Sequence, residues 1–500
     1  MGISQCQECG TDISYDFKIS LPDSPAPDLL DSTVFLDPFA APLIQDHLAH
    51  ARGTLSSVNL EIANISKSLK YLHEKRDALE HTISRHARLL SPIQRLPEDI
   101  LAVILFLAVP ESPYISPSSR PLAYSQVCKA WKQCAWSCQR IWASFGVLGK
   151  ETRPSPPLIR AWLSHARSIP LSPRFELDAR PSVARLAWPA IAEVIAYCDR
   201  WEKLGISSPT GVLQRFQRVQ GRLPLLEHLS IKIYPGEMKK EIGAFKLAPR
   251  LRSVRLDSRE PLSKIRLPWG QLTDLELEIE STQPDSPDME DSLLHIFREL
   301  ASLACLTLRY FAQDRGHRHD IPPVTLPQLR TLVVSLPKMR GRIFNMIRCP
   351  NLTSISISQA SVSWTCQSFL SFLGTLSSLK NLAAISLTPL ANPQEIPDLV
   401  PSLNEVSTVT ALRIQLIRAD IPDRLLKSMT HTPEGPNLLP NLQELDMDST
   451  VNGNLFSDMV LSRISPDRGL AQLQRVGHPK TRNGDLPLVS RLSPAIFRSK

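Results

Sequence analysis

The sequence predicts a mixed α/β chain with a long N-terminal helix, a module of three short helices, and then a strand–helix solenoid curved into a horseshoe. Three patterns predict it. Apolar residues recur every seven positions between Leu48 and Leu90. Helical spacing punctuated by proline fills residues 91–147. An apolar-x-x-apolar-x-apolar motif then returns again and again from Trp201 to Met447.

At 500 residues the chain has room for two or three domains and a well-buried core. Its 42% hydrophobic and 21% charged residues fit a globular protein, and 43 Pro against 19 Gly argue for short elements joined by stiff turns. Residues 1–43 hold seven acidic side chains and one basic, Lys18, among scattered prolines. They read as a disordered acidic leader. Cys6 and Cys9 form a lone C-x-x-C there. It reads as two free thiols or as half of a zinc site completed elsewhere, since a structural zinc needs four ligands.

Residues 44–90 contain no proline and one glycine, Gly53. Leu48, Leu55, Ile62, Leu69, Ile83 and Leu90 form one seam, and Ala51, Val58, Ile65, Leu72 and Leu79 a second, offset by three. This is coiled-coil spacing on a helix about 70 Å long. Arg76 and His86 break the seam near its end. The pattern suits a homodimer through 44–90 or an amphipathic helix packed on its own chain.

Within 91–147 the first helix is expected from Pro97 to Leu107, with Glu98 and Asp99 at its positive end. Pro110, Pro113, Pro117 and Pro121 enforce a loop. A second helix is expected to carry Leu122, Tyr124, Val127, Cys128 and Trp131, and a third piece Ile141, Trp142 and Phe145. Periodicity places Cys128, Trp131 and Trp142 in a core. Residues 148–200 read as a linker with the first repeat-like units: a helix at Leu158–Leu163 and a strand at Phe175–Leu177.

From 201 to 478 the motif runs as Trp201-x-x-Leu204-x-Ile206, Leu226-x-x-Leu229-x-Ile231, Leu251-x-x-Val254-x-Leu256 and Leu272-x-x-Leu275-x-Leu277. It continues through Leu303, Leu329, Leu352, then Leu382-x-x-Ile385-x-Leu387, Val409, and Leu442-x-x-Leu445-x-Met447, with starts 21 to 33 residues apart. Leu-x-x-Leu-x-Leu at this period is the leucine-rich-repeat pattern, in which stacking buries a ladder that one unit cannot bury alone. Pro224, Pro327, Pro350 and Pro440 set an extended approach to several strands. Helical patterns fill the intervals at Asp291–Leu300 and Gln367–Leu373. Outward positions open to a ligand include Glu227, His228, Arg252, Arg255, Thr273, Asp274, Arg330 and Arg413.

No P-loop, Gly-x-Ser-x-Gly, His-Glu-x-x-His or Gly-x-Gly-x-x-Gly motif occurs. His317, His319 and Asp320 read as a solvated loop, and Asp446 and Asp448 as outward strand positions. No cofactor, metal or catalytic residue is expected. The net charge of +8 owes much to a basic tail at 479–500. With 6% aromatics and opposed charge in the two tails, nucleic acid is not an expected partner. Nor is a membrane: the longest wholly apolar run, Ile100–Val109, is about half of what a bilayer requires. Nine cysteines at irregular spacing give no disulfide framework, which fits an intracellular, cytoplasmic or nuclear setting.

Three blocks stand in order: Leu96-Pro97-Glu98-Asp99-Ile100-Leu101, then Ser125-Gln126-Val127-Cys128-Lys129-Ala130-Trp131, then Arg140-Ile141-Trp142. Together they resemble an F-box, whose pattern opens Leu-Pro-x-Glu, centres on Val-Cys-x-x-Trp and closes on an apolar residue and Trp. The loop Pro110–Pro121 is longer than in most members. A heptad helix just upstream and degenerate leucine-rich repeats downstream are similar to a group of fungal F-box proteins. The resemblance implies docking on a Skp-family adaptor and, through it, on a cullin, while the repeats hold a protein substrate for ubiquitination. The expected docking residues are Leu96, Pro97, Ile100, Leu101, Ile104, Val127 and Trp131, some of which must instead hold the module's own core. The alternative is a scaffold outside any ligase that uses the heptad helix and the solenoid.

Overall fold

A computed structural model describes residues 23–30, 39–90, 92–111, 113–149, 155–234, 240–259, 262–279, 288–310, 322–335, 343–358, 367–376, 379–387, 400–416, 420–432, 437–464, 471–477 and 480–481. Cys6 and Cys9, His317–Asp320, most of the acidic leader and nearly all of the basic tail lie outside the described residues. The chain is mixed α/β, with a long N-terminal helix and a large parallel sheet. It divides into two compact units between Pro97 and Glu98.

The first unit is dominated by helix α1 (Ala41–Leu90). Its 50 residues span about 75 Å at the α-helical rise. Pro42 sits in the first turn, where its missing N–H leaves no bond unmade. At the other end Pro92 opens a separate 3₁₀ turn, Pro92–Arg95.

The second unit opens with four short helices: α2 (Glu98–Ala108), α3 (Arg120–Tyr124), α4 (Lys129–Ser137) and α5 (Arg140–Ala143). The single helix expected through Leu122–Trp131 is therefore two. The Ser125 hydroxyl donates to the Leu122 carbonyl at 2.6 Å, and Gln126 N–H closes on Ala123 at 3.1 Å, which ends α3 in a tight turn. Val127 and Cys128 form the break, with Cys128 extended (φ −161°). Cys128 is exposed, so the core position expected for it is wrong.

Thirteen parallel strands follow in one sheet, in the order of the chain. They are β1 (Ser144–Gly149), β2 (Ser172–Leu177), β3 (Lys203–Pro209), β4 (His228–Tyr234), β5 (Ser253–Ser258), β6 (Asp274–Ile279) and β7 (Cys305–Tyr310). Then come β8 (Thr331–Ser335), β9 (Ser354–Ser358), β10 (Asn381–Leu387), β11 (Ala411–Leu416), β12 (Glu444–Met447) and β13 (Arg475–Val476). Phe145, expected in the last short helix, lies in β1 instead. The sheet thus begins inside the stretch assigned to the helical module, and β1 and β2 precede the first expected motif at Trp201.

Register explains why the motif repeats. Leu204, Leu229, Val254, Leu275 and Leu306 stand side by side on adjacent strands, as do Ile206, Ile231, Leu256, Leu277 and Leu308 two residues on. Those residues are buried, and alternate positions face outward. The first apolar residue of each motif lies just before its strand, and Trp201, Leu226, Leu251, Leu272 and Leu303 are all buried there. At that point one carbonyl accepts two N–H groups of the next strand: Arg330 O accepts from Thr353 and Ser354, both at 2.9 Å. One motif is corrected. Leu382 pairs with Ile355 and Leu412, and Ala384 with Ile357 and Ile414. The unit is therefore Leu379-x-x-Leu382-x-Ala384, with Leu379 fully buried, and not Leu382-x-x-Ile385-x-Leu387. A small alanine in the third apolar place hid the true register, and the pairing turns irregular after Ala384.

Helices between the strands pack against the inward strand residues. Among them are α6 (Pro156–Ala166), α7 (Trp188–Ile195), α8 (Asp288–Glu299), α9 (Gln367–Gly374), α10 (Asp423–Met429) and α11 (Gly453–Ile464). Their apolar residues join the inward strand residues in one continuous core. Among the described residues, no helix is long and apolar enough to cross a membrane.

Candidate functional site

The helical module is held by a few specific contacts. Leu101 and Leu105, one turn apart on α2, are buried with Cys134, Ala135 and Trp142. The Cys134 thiol donates to the Glu98 carbonyl at 3.6 Å. Arg120 Nη1 and the Tyr124 hydroxyl both donate to the Ala108 carbonyl, at 2.8 and 3.1 Å. They satisfy the negative end of α2 and draw the proline-rich loop back under it. Trp142 is fully buried: its Nε1 donates to Ala135 O at 2.7 Å, and its own carbonyl accepts from Trp162 Nε1 at 2.9 Å. The two indoles meet edge to face at 4.8 Å, so Trp142 bolts α4 to α6. His165 stacks on Trp142 at 4.7 Å, and burial pushes its pKa down, with Arg167 acting the same way.

Against that frame the candidate docking residues separate. Leu101 is 5% exposed and belongs to the core, which removes it from any docking surface. Ile100 and Ile104 point away from the core and are exposed. Val103 and Leu107, absent from the expected set, complete their stripe; Leu107 is 75% exposed. Positions 100, 103, 104 and 107 lie on one helical face, a spacing legible in the sequence once Leu101 and Leu105 are known to face inward. Val127 is exposed in the break before α4. Trp131 is half-buried, edge-on to Tyr124 at 6.2 Å, so it supports the module with one side only. Leu96 is half-buried and Pro97 exposed, and both belong to the first unit.

Cys128 gives a simple check on this arrangement. Full-length protein treated with a maleimide is expected to label at Cys128 well before Cys134, Cys198 or Cys349, which are buried. Burial pushes the Cys349 thiol up to about 12, so it reacts only on unfolding. Mass spectrometry of the labelled peptides reads the order.

The first unit carries a second apolar surface. Leu48, Leu55, Ile62, Ile65, Leu69, Leu72, Leu79, Ile83 and Leu90 are 37–68% exposed along α1. The open face of the sheet is a third surface, and it is charged. Lys232 pairs with Asp257 at 2.6 Å, Arg309 with Glu278 at 3.2 Å, Arg413 with Asp446 at 2.9 Å and Arg475 with Glu444 at 2.9 Å, each across adjacent strands. Asp446 is thus engaged by an arginine. Among the described residues, no group of three His, Cys, Asp or Glu is placed to hold a metal ion. Of the outward positions expected from sequence, His228, Arg255, Asp274 and Arg413 lie on this face, while Glu227, Arg252, Thr273 and Arg330 stand just before their strands. No family model matches this chain, and no curated protein matches it.

Proposed function

We propose that the chain is a non-catalytic adaptor of a Skp–cullin–F-box ubiquitin ligase. In this reading residues 91–147 are the F-box and dock a Skp-family adaptor. The parallel sheet is a leucine-rich-repeat solenoid whose open face holds a protein substrate, and α1 joins a second copy. The observation that carries it is the bare apolar stripe Ile100, Val103, Ile104 and Leu107 on a helix whose opposite side is already packed. A contiguous exposed apolar stripe of this kind marks a surface that a partner covers. One strand per Leu-x-x-Leu-x-Leu motif, in chain order, supports the solenoid. Catalysis would come from effective concentration: a rigid arm holds a substrate lysine near a ubiquitin thioester made by another protein.

The test is co-purification of the full chain with a Skp-family adaptor and a cullin. The pair Ile100→Glu and Ile104→Glu is expected to lose the adaptor while melting like wild type, because neither side chain is in the core. Leu101→Ala should instead cost about 2–5 kcal/mol of stability, as for other buried leucines. Equal recovery of the adaptor by the double variant and wild type would end the ligase reading. The exposed seam of α1 favours a second reading, a scaffold that assembles proteins outside any ligase. That outcome is distinguished by dimer formation without adaptor recovery.

A further inference from the structure

The cross-strand pairs described above neutralise most of the open sheet face, but not the part nearest the helical module. There a cavity of about 680 Å³ opens between the end of α2 and the first five strands. Its size is that of a small-molecule site. Four cations line it, Arg140, Arg174, Lys203 and Arg255, together with His228 and a single carboxylate, Glu111. Among the described residues, Arg140, Arg174 and Lys203 have no carboxylate within 4.0 Å. Arg255 shares Glu276 and Glu278 at 3.5 and 3.8 Å.

Register gives the cavity its shape. Arg174, Gly205, Ser230 and Arg255 lie in one outward row on β2 to β5. The two arginines therefore stand three strand spacings apart, about 14 Å, across a floor of a glycine and a serine. Lys203 and His228 occupy the next row of the same floor. Gly205 leaves room here. A Cβ at this position would come within 3.2 Å of Arg174 Cγ, so glycine lets that side chain lie along the sheet. Phe106 and Leu107 form an apolar wall on the module side, and both are exposed.

We propose that this cavity binds a phosphate dianion bearing an aryl or alkyl group. With Arg255 engaged by two glutamates, three unpaired cations face one carboxylate, and a surplus of two positive charges in a concave site calls for more than one negative charge on the ligand. Arginine forks match the oxygens of a phosphate, and the lysine adds a point charge. The volume left beyond a phosphate lies against Phe106 and Leu107, which suits an apolar substituent. The site does not rest on the ligase reading, and its ligand is either a free organic phosphate or a phosphorylated side chain.

Calorimetric titration of the full chain tests it with phenyl phosphate, inorganic phosphate, benzoate and a capped phosphotyrosine peptide. Phenyl phosphate is expected to bind more tightly than inorganic phosphate or benzoate. Arg174→Ala with Lys203→Ala should weaken it by at least about tenfold, since each charge-assisted contact contributes about 1.5–3 kcal/mol. Both side chains are exposed, so the fold should survive. Phe106→Ala should weaken phenyl phosphate but leave inorganic phosphate unchanged. Arg413→Ala, on the far part of the sheet, should change neither. Comparing phenyl phosphate with the peptide tells the two sources apart. The proposal is overturned if no probe binds, if benzoate equals phenyl phosphate, or if the double variant binds as wild type does.

Discussion

Replacing Arg463 with Ala is expected to remove about 3–5 kcal/mol of stability from the C-terminal end of the sheet, since each buried carbonyl left without its donor costs about 1–3 kcal/mol and a large side chain is lost as well. Arg463 is fully buried in α11. Its Nε donates to Met429 O at 2.6 Å, Nη1 to Leu439 O at 3.0 Å and Nη2 to Leu438 O. Burial pushes its pKa down to about 10, which still leaves it charged at neutral pH. The guanidinium thus ties α10, α11 and the approach to β12 together. That approach is under strain, because Leu439 has φ +51° and its side chain is buried. Pro440 follows and bars Leu439 from the right-handed helical region. Without Arg463 the Met429 and Leu438 carbonyls lose this donor, while the Leu439 carbonyl keeps only the Leu442 N–H at 3.2 Å. Arg463→Met, which keeps most of the volume, should lose nearly as much, and Arg463→Lys should recover little, because one ammonium cannot span three carbonyls. Each strand pairs only with its neighbours in sequence, so the loss should stay local. Hydrogen exchange should accelerate at Glu444–Met447 while β4 to β6 remain protected. If Arg463→Met melts within about 0.5 kcal/mol of wild type, as ordinary surface changes do, the account of this clamp fails.

Arg463 also marks what the sequence does not show. A lone arginine near the end of an amphipathic stretch looks like a solvated charge, and only the folded chain brings three carbonyls around it. The strands were legible because their burial follows a short, rigid spacing: all ten expected motifs meet a strand. The one misplaced register, at Leu379–Ala384, came where a small residue replaced a large one. The docking stripe was half legible. The spacing of Ile100, Val103, Ile104 and Leu107 is helical, but α2 is apolar nearly all round, so pattern alone could not say which side faced the core. Leu101 could not be sorted from Ile100 for that reason. Cys128 and Phe145 were misplaced because short elements change type within a few residues, and a helical period extended past Tyr124 or Ala143 still finds apolar residues in step. The phosphate cavity was not legible at all, since it is made by strands and helix residues up to 149 positions apart and by the absence of carboxylates beside three cations.

The heptad seam of α1 is expected to make the chain a parallel, in-register dimer, and breaking the seam should produce monomer. Nine large apolar residues of each copy's heptad seam are exposed along α1. Covering a Leu or Ile side chain contributes about 1.5–3 kcal/mol, which over the seam exceeds the entropic cost of joining two chains. One charged pair favours the parallel arrangement. With Leu48 and Leu69 at position a, Lys75 falls at g and Glu80 at e, and g pairs with the following e of the opposite helix in parallel coils. Arg76 falls at an a position, where two copies would face each other. Within its own chain it pairs with Asp77 at 2.8 Å and Glu80 at 3.7 Å, which keeps its head at the surface and limits the repulsion. Light scattering of the full chain should give a dimer mass. Ile65→Glu with Leu69→Glu should convert it to monomer, weakening association by about 10²- to 10⁴-fold if only half of two buried side chains' contribution per copy is lost. Arg76→Leu should tighten the dimer and raise its melting temperature, since it removes the one charge from the centre of the seam. Ile62→Cys should form a symmetric disulfide under mild oxidation, because only the in-register parallel pair brings the two Ile62 positions together. A monomeric wild-type chain at high micromolar concentration would refute dimerisation, and a dimer in which Ile62→Cys does not cross-link would refute the parallel register.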